Sequence, residues 1–235
     1  GLHNLKVSKP YLHLFRVSSM VGAITCFVIS LKFFFIIEVM AIYNLSPILV
    51  ALLAILILNE KFNIFRISAI LLGFIGVIFI IQPGTSIFST KSFIPFLGVG
   101  CVALAYISTR SIMKIDNVYA TVFYYSLGIL LTAIIFFPND FIIPNAYYCI
   151  GLLMVGVISI TSHYLFALAT KYAEVSSVAP IEYLAFIWTG LLGYFFLKEI
   201  PSIMIILGGI IIIVSGIFLV HVENKSIYPI SSTKN

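Results

Sequence analysis

Residues 202–221 read SIMIILGGIIIIVSGIFLVH, a run of twenty residues without Asp, Glu, Lys or Arg. A helix of that length rises about 30 Å, the thickness of the hydrocarbon core of a bilayer. The whole chain has this character, because 62% of its 235 residues are hydrophobic and only 9% are charged. Soluble domains average about 45–50% and about 25% for the same two classes. The composition therefore excludes a water-soluble globule and predicts a membrane protein.

Seven further apolar segments precede this one, and sequences that favour turns separate them. Gln82-Pro83-Gly84 and Pro138-Asn139-Asp140 occur where helices are expected to end. Only Lys32 and Glu38 interrupt the first two segments, so we expect a tight turn there. We therefore predict an all-α, polytopic transmembrane helix bundle with eight spans. They cover residues 17–35, 39–58, 65–82, 94–109, 118–137, 147–169, 178–197 and 202–221.

The distribution of basic residues predicts the orientation of these spans. With the N-terminus in the cytoplasm, ten of the 13 lysines and arginines fall on the cytoplasmic side, and Lys32, Lys91 and Lys198 fall outside. Both termini are therefore expected in the cytoplasm. Heavy use of Ile, Phe, Lys and Asn is typical of AT-rich bacterial genomes, so the expected location is a bacterial inner membrane.

An internal repeat emerges when the chain is shifted against itself so that Lys32 coincides with Lys171. Glu60 then coincides with Glu199. Glu60 ends a helix on the cytoplasmic side and Glu199 ends one outside, so the two copies are inverted, as in many secondary transporters. We expect an incomplete first copy of three spans, a second copy of five spans and a cytoplasmic tail. Their boundaries are residues 1–90, 91–222 and 223–235.

Short motifs in a consistent order extend over residues 10–222. The first half contains Asn44-Leu45-Ser46-Pro47 and Leu58-Asn59-Glu60-Lys61, and the second contains Val178-Ala179-Pro180 and Leu197-Lys198-Glu199-Ile200-Pro201. In order and spacing they resemble the drug/metabolite transporter superfamily, specifically its ten-helix EamA-like members. The resemblance implies a secondary transporter that moves a small organic metabolite or drug-like solute by alternating access. EamA-like members begin with two more helices, so the alternative is a non-transporting truncated remnant or an accessory membrane subunit.

Other classes of function find little support in the sequence. No GxxxxGK[ST] loop occurs, so direct use of ATP is not expected, and we predict no cofactor. No run of basic residues is long enough for a nucleic-acid site, and no catalytic cluster of His, Asp or Cys indicates an enzyme. The three cysteines have no CxxC or CxxH neighbour, so no metal site is predicted. The expected partners are the solute, the bilayer and protons for coupling, and a homodimer is left open.

Glu182 is the most informative ionisable residue. A charged side chain within a membrane costs about 2.5–3.5 kcal/mol on insertion scales, so it needs a reason to be there. Glu182 follows Pro180 by two residues and lies about one turn into its helix. One interpretation is a site for a substrate cation or a proton. The other is a carboxylate held near the cytoplasmic surface, where the start of a helix favours acidic groups.

His163 lies well within a predicted span, and it is either a packed side chain with one hydrogen bond or a pathway group that responds to pH. A pocket for an organic solute needs apolar walls with a few polar anchors. The substrate-binding candidates are Asn44, Ser46, Tyr106, Tyr124, Tyr183 and Trp188, the last two chiefly through the family resemblance. Four charged residues are predicted to be structural and to lie at helix ends. These are Glu60, Glu199, Lys32 and Lys171.

Overall fold

The computed structural model describes residues 5–60, 64–81, 90–136, 144–198, 200 and 202–227. Every regular element in this part of the chain is helical. Two short 3₁₀ turns cover Thr90–Ser92 and Ala179–Glu182. The α-helices are α1 (Pro10–Ser30), α2 (Ile36–Tyr43), α3 (Ser46–Leu58), α4 (Ile64–Ile81), α5 (Phe93–Met113), α6 (Val118–Phe136), α7 (Ala146–Tyr172), α8 (Val175–Val178), α9 (Tyr183–Leu197) and α10 (Ile203–Ile227).

Apolar helices of membrane-spanning length dominate the described residues. Six helical segments are long and apolar enough to cross a bilayer, and they follow the order of six predicted spans. The remaining two predicted spans, 65–82 and 202–221, correspond to shorter apolar stretches, Ile67–Ile80 within α4 and Ile203–Phe218 within α10. The prediction of an all-α polytopic bundle is confirmed, and its count of eight spans is approximate.

The first helix begins at Pro10, earlier than the predicted start at residue 17. A proline suits the first turn of a helix, where its missing N–H has no partner to lose. His13 and Arg16 in this extension are buried, and each forms hydrogen bonds to other parts of the bundle. Hydropathy alone places such polar residues outside a span, because it contains no information about their partners.

The segments Ile36–Leu58 and Val175–Leu197, which contain the predicted spans 39–58 and 178–197, are each interrupted. In the first, α2 ends at Tyr43 and α3 begins at Ser46, with Pro47 in its first turn. In the second, the 3₁₀ turn that contains Pro180 separates α8 from α9. A proline cannot donate the backbone hydrogen bond that a helix interior requires, so it favours a new helix start. Both breaks lie within apolar sequence, where the length of apolar sequence needed to cross a bilayer predicts one continuous helix.

The repeat found in the sequence recurs in the helix boundaries. The shift that superposes Lys32 on Lys171 also superposes Ile64, which begins α4, on Ile203, which begins α10. Asn59 and Lys198, which cap the C-termini of α3 and α9, are the non-glycine residues with positive φ in the described part, at 54° and 57°. The same unusual backbone conformation therefore ends the same helix in both copies.

The packing of α4 against α10 shows that the two copies are inverted. A Cβ atom on Gly76 would lie 2.7 Å from the carbonyl oxygen of Gly208, so the two backbones touch at this point. Further along, the Ser215 hydroxyl donates a hydrogen bond to the carbonyl oxygen of Ala69. The helices therefore run antiparallel. In the repeat, Gly76 is equivalent to Ser215 and Ala69 is equivalent to Gly208. Exchanging the two copies therefore turns the Gly76–Gly208 contact into the Ala69–Ser215 contact. This fits an approximate two-fold axis between the helices, as in inverted-repeat transporters.

Candidate functional site

A cavity of about 210 Å³ lies between α1, α2, α3, α5 and the start of α9. Most of its lining is apolar or aromatic, which suits an organic solute. Four predicted substrate-binding residues from three distant parts of the chain come together here. They are Asn44, Ser46, Tyr106 and Glu182. Tyr43, which was not predicted, also lines the cavity and donates a hydrogen bond from its hydroxyl to the Ala23 carbonyl at 2.8 Å.

A larger chamber of about 500 Å³ adjoins this cavity alongside α7. The two spaces share Tyr106, Glu182 and Ala185 in their linings, so Glu182 borders both. Ser162 and His163 bring polar groups from α7 to the larger chamber. Five of the eight predicted substrate-binding or coupling residues therefore line one continuous region of the bundle.

The two broken helices position the polar groups of the cavity. Asn44 caps the end of α2 and Ser46 opens α3, whereas Glu182 closes the 3₁₀ turn and caps the start of α9. The breaks are related by the repeat, since the same shift of the chain superposes Tyr43 on Glu182. Interrupted helices that meet within the bilayer are typical of substrate sites in inverted-repeat transporters.

Glu182 has a polar partner but no counter-ion within the described residues. Ser46 lines the same cavity and is the polar neighbour of Glu182 there. Among the described residues, no basic side chain forms an ion pair with Glu182. A carboxylate away from water is costly without a counter-ion, so this group is available to a proton or to a cation that enters the cavity. Its place in the cavity lining favours this interpretation over a carboxylate at the aqueous surface.

Asn44 brings an unpaired donor to the same cavity. The side chain is buried, and its Nδ2 atom has no hydrogen-bond partner among the described residues. Most buried polar groups in proteins are hydrogen-bonded, so an unpaired amide in a cavity wall needs an explanation. Asn44 lines the cavity, while its Nδ2 atom itself is fully buried.

The comparisons with known proteins agree with this architecture. The model of the EamA-like transporter family matches residues 4–82 and 92–222. The chain belongs to the EamA-like transporter family. It is therefore an integral membrane transporter and not an enzyme.

Three relatives show the range of solutes named for similar proteins. The S-adenosylmethionine uptake transporter of Rickettsia prowazekii is 25% identical over 231 residues, which cover 96% of this chain and 77% of the relative. The pseudopaline exporter CntI of Pseudomonas aeruginosa is 28% identical over 178 residues, covering 75% of this chain and 63% of the relative. The riboflavin transporter of Rhizobium johnstonii is 25% identical over 228 residues, which cover 96% of this chain and 75% of the relative.

A solved structure supports the fold independently. This crystal structure, described only as that of a protein, superposes with a TM-score of 0.69 at 16% sequence identity. The match covers 94% of this chain and 79% of the other. At that identity the likeness shows a shared fold alone.

His163 belongs to a stack of polar and aromatic groups behind the larger chamber of this EamA-like transporter. Its ring lies 4.0 Å from that of Tyr125, and the guanidinium of Arg16 lies 5.0 Å from the centre of the same ring. Arg16 also donates from Nε to the Thr109 hydroxyl at 2.7 Å and from a terminal nitrogen to the Thr121 carbonyl at 2.9 Å. From the sequence, Arg16 contributed only to the predicted orientation of the chain in the membrane. Its position beside an apolar segment was nevertheless an indication that its guanidinium has a partner in the bundle.

Three predicted substrate-binding residues lie elsewhere. Trp188 is 66% exposed on the outer side of α9, about 140° around the helix from Tyr183. Tyr183 is buried beside Gly73 and Ser215 of α4 and α10, and its hydroxyl has no hydrogen-bond partner in the described part. Tyr124 lines a separate groove between α1 and α6 and donates to the Leu5 carbonyl at 3.2 Å. The structure therefore places these three residues outside the cavity.

The residues predicted to be structural lie at helix ends where the structure describes them. Glu60 follows α3 and accepts hydrogen bonds from the Val175 N–H at 3.0 Å and from the Ser176 hydroxyl, so it caps α8. Lys32 is exposed in the turn after α1, and Lys171 is exposed in the last turn of α7. Glu199 lies outside the described residues.

Asp116 joins the start of α1 to the turn between α5 and α6. Its carboxylate accepts hydrogen bonds from the Ser8 N–H at 2.8 Å and pairs with His13 Nε2 at 2.9 Å. Burial alone would raise the pKa of Asp116, but these hydrogen bonds outweigh burial and leave that pKa below its ordinary value. The contact fastens the N-terminal extension of α1 to the bundle, a role that was not predicted for Asp116.

Proposed function

We propose that this protein is a secondary transporter that carries a small organic solute across a bacterial inner membrane by alternating access, with both termini in the cytoplasm. The observation that carries the proposal is the cavity around Glu182. It lies where broken helices from the two inverted copies meet, and it is lined by a carboxylate, an amide and tyrosines. The two copies correspond to residues 1–90 and 91–222 in this proposal.

The relatives support an organic solute of moderate size but no single substrate. Their names include uptake of S-adenosylmethionine, export of pseudopaline and transport of riboflavin. Because the relatives are named for different solutes and for both uptake and export, the substrate of this chain and the direction of its transport must be found by experiment. The larger chamber of about 500 Å³ falls within the usual range of about 300–1,000 Å³ for ligand pockets.

Proton coupling is part of this proposal, with Glu182 and His163 as the titratable groups. Glu182 borders both the cavity and the larger chamber, and His163 borders the chamber, so both groups lie on the pathway. Reconstitution into proteoliposomes tests this point. We expect solute flux that increases with an imposed pH gradient. In Glu182→Gln we expect the flux to fall at least about tenfold, which corresponds to about 1.4 kcal/mol of lost interaction free energy. Absence of flux for every metabolite tried would count against transport.

A second candidate, an accessory membrane subunit, is favoured by the exposure of α7. Its first half is exposed on all sides, as illustrated by Leu153 and Val157. The equivalent helix of the first copy, α1, packs its buried residues His13, Arg16 and Ala23 against neighbouring helices. A partner chain or a second copy of this one could cover α7. Flux by the chain alone would exclude a purely accessory role, and the mass of the purified protein–detergent complex would reveal a homodimer.

A further inference from the structure

An apolar groove of about 210 Å³ runs between α1 and α6, and it shares no lining residue with the cavity around Glu182. Exposed lysines lie at the end of this groove where α1 begins. We propose that the groove binds an acyl chain of an anionic phospholipid and that the lysines hold its head group. This lipid site goes beyond the proposed transport function and does not depend on which solute the protein carries.

The groove opens on the side of the bundle that faces the hydrocarbon of the bilayer. Its lining includes Leu14 and Leu127, which are 68% and 37% exposed. The two helices touch within it, because a Cβ atom on Gly128 would overlap the side chain of Val17. Residues 10–17 of α1 follow the groove, so it extends for about 10 Å along the helix. An open apolar cleft of this length fits part of an acyl chain.

The polar side chains of the groove already have partners. His13 pairs through Nε2 with Asp116 at 2.9 Å, and the Tyr124 hydroxyl donates a hydrogen bond to the Leu5 carbonyl at 3.2 Å. A site for a polar solute needs free polar groups that fix the orientation of the solute. A hydrocarbon chain needs only the van der Waals contacts of apolar walls. The groove therefore suits a lipid tail better than a second solute.

The head group follows from the charges at the start of α1. Lys6 and Lys9 directly adjoin residues that line the groove, and both are exposed without an ion pair among the described residues. The Ser8 N–H donates a hydrogen bond to Asp116 at 2.8 Å, which brings the turn that carries the exposed Lys114 to the same place. The Asp116 side chain is engaged by its hydrogen bonds and is only 2% exposed. The exposed charges of this group are therefore positive.

An anionic head group is the one that these lysines favour. In the proposed orientation they lie at the cytoplasmic leaflet, where anionic lipids create a negative surface potential that attracts basic residues. A zwitterionic head group has no net charge to attract them. Because the lysines and the apolar groove adjoin, one lipid molecule can occupy both.

Competition between two lipids with identical acyl chains tests the choice of head group. The purified full chain is incubated in detergent with equal amounts of phosphatidylglycerol and phosphatidylethanolamine, and native mass spectrometry measures which lipid remains bound. We expect at least about tenfold more bound phosphatidylglycerol, and we expect the double variant Lys6→Gln/Lys9→Gln to lose most of this preference. The matched control is Lys32→Gln/Lys171→Gln, which removes the same charge at exposed positions that adjoin no lining residue.

A second pair of variants tests the position of the acyl chain. Leu127→Trp fills the groove and should reduce the amount of either lipid that stays bound by about tenfold. Leu130→Trp is the matched control, because Leu130 is exposed on the same helix and does not line the groove. Helical circular dichroism and gel filtration confirm that each variant is folded.

Three outcomes would overturn the proposal, each in a different way. Equal binding of the two lipids, or a preference that survives Lys6→Gln/Lys9→Gln, would contradict the role of the lysines. Lipid binding that Leu127→Trp leaves unchanged would contradict the groove as the site. A mass of two copies without bound lipid, reduced to one copy by Leu127→Trp, would show that a second copy of the chain occupies the groove instead.

Discussion

At the scale of single residues, Glu60 links the end of α3 to the start of α8. Glu60→Ala leaves the Val175 N–H and the Ser176 hydroxyl without their acceptor, so we expect the free energy of unfolding to fall by about 1–3 kcal/mol. Glu60→Gln keeps an oxygen acceptor and should lose less. Thermal unfolding in detergent measures the difference. Equal midpoints for the three proteins would contradict a capping role.

Asp116 makes the anchoring of α1 dependent on pH. A carboxyl group with a lowered pKa in the folded state stabilises the fold above its unfolded pKa of about 3.9, and this contribution disappears as the pH falls through the folded value. We therefore expect wild type to lose more stability than Asp116→Asn between about pH 5 and about pH 3, by up to about 1 kcal/mol. Thermal unfolding at several pH values measures this.

The control for that experiment is Lys114→Gln, an exposed side chain in the same turn. It should follow the wild-type pH dependence. If Asp116→Asn also follows it, the hydrogen bonds from Ser8 and His13 do not stabilise the fold through the Asp116 charge.

Among the residues predicted to bind solute, the polar ones line the cavity more consistently than the aromatic ones. Glu182, Asn44 and Ser46 were predictable because a polar group in an apolar segment needs a partner or a purpose. Trp188 was not, because aromatic residues also suit the outer surface of a membrane protein. Arg16 was missed because its partners lie in α5 and α6, far away along the chain.

At the scale of elements, the crossing of α4 and α10 depends on small residues. Gly76→Ala would place a methyl group 2.7 Å from the Gly208 carbonyl oxygen, so the helices must move apart. We expect the free energy of unfolding to fall by about 1–3 kcal/mol, as in other overpacked interfaces. Gly156→Ala is the matched control, because nothing lies within 4 Å of the added atom on α7. Thermal unfolding of both variants in detergent compares them, and an equal effect would contradict the close crossing.

The helix breaks in 36–58 and 175–197 were beyond the sequence-based prediction. Hydropathy reports that a segment is apolar, and both segments are. Pro47 and Pro180 were visible, but a proline is also tolerated at a helix start near the membrane surface. The breaks lie inside the bundle because the interrupted segment of each copy packs against that of the other copy. No local sequence pattern contains this information.

At the scale of the whole molecule, two pairs of charged residues predicted the inverted repeat, and the structure adds further matches between the two copies. Equivalent helices begin at residues 64 and 203, and equivalent C-caps share a positive φ. The sequence could not place the cavity, because its lining comes from both copies. Tyr43 and Glu182 occupy equivalent positions but have different chemistry, so symmetry of the fold does not extend to the site.

Alternating access requires that this cavity opens to each side of the membrane in turn, and the reactivity of a single cysteine reports this. Cys26, Cys101 and Cys149 are replaced by serine, and Ala185, which lines both the cavity and the larger chamber, is replaced by cysteine. Membrane-impermeant thiol reagents are then added from either side of oriented vesicles. We predict labelling from both sides, slowed by transported solute. Labelling from one side only, or from neither, would contradict alternating access.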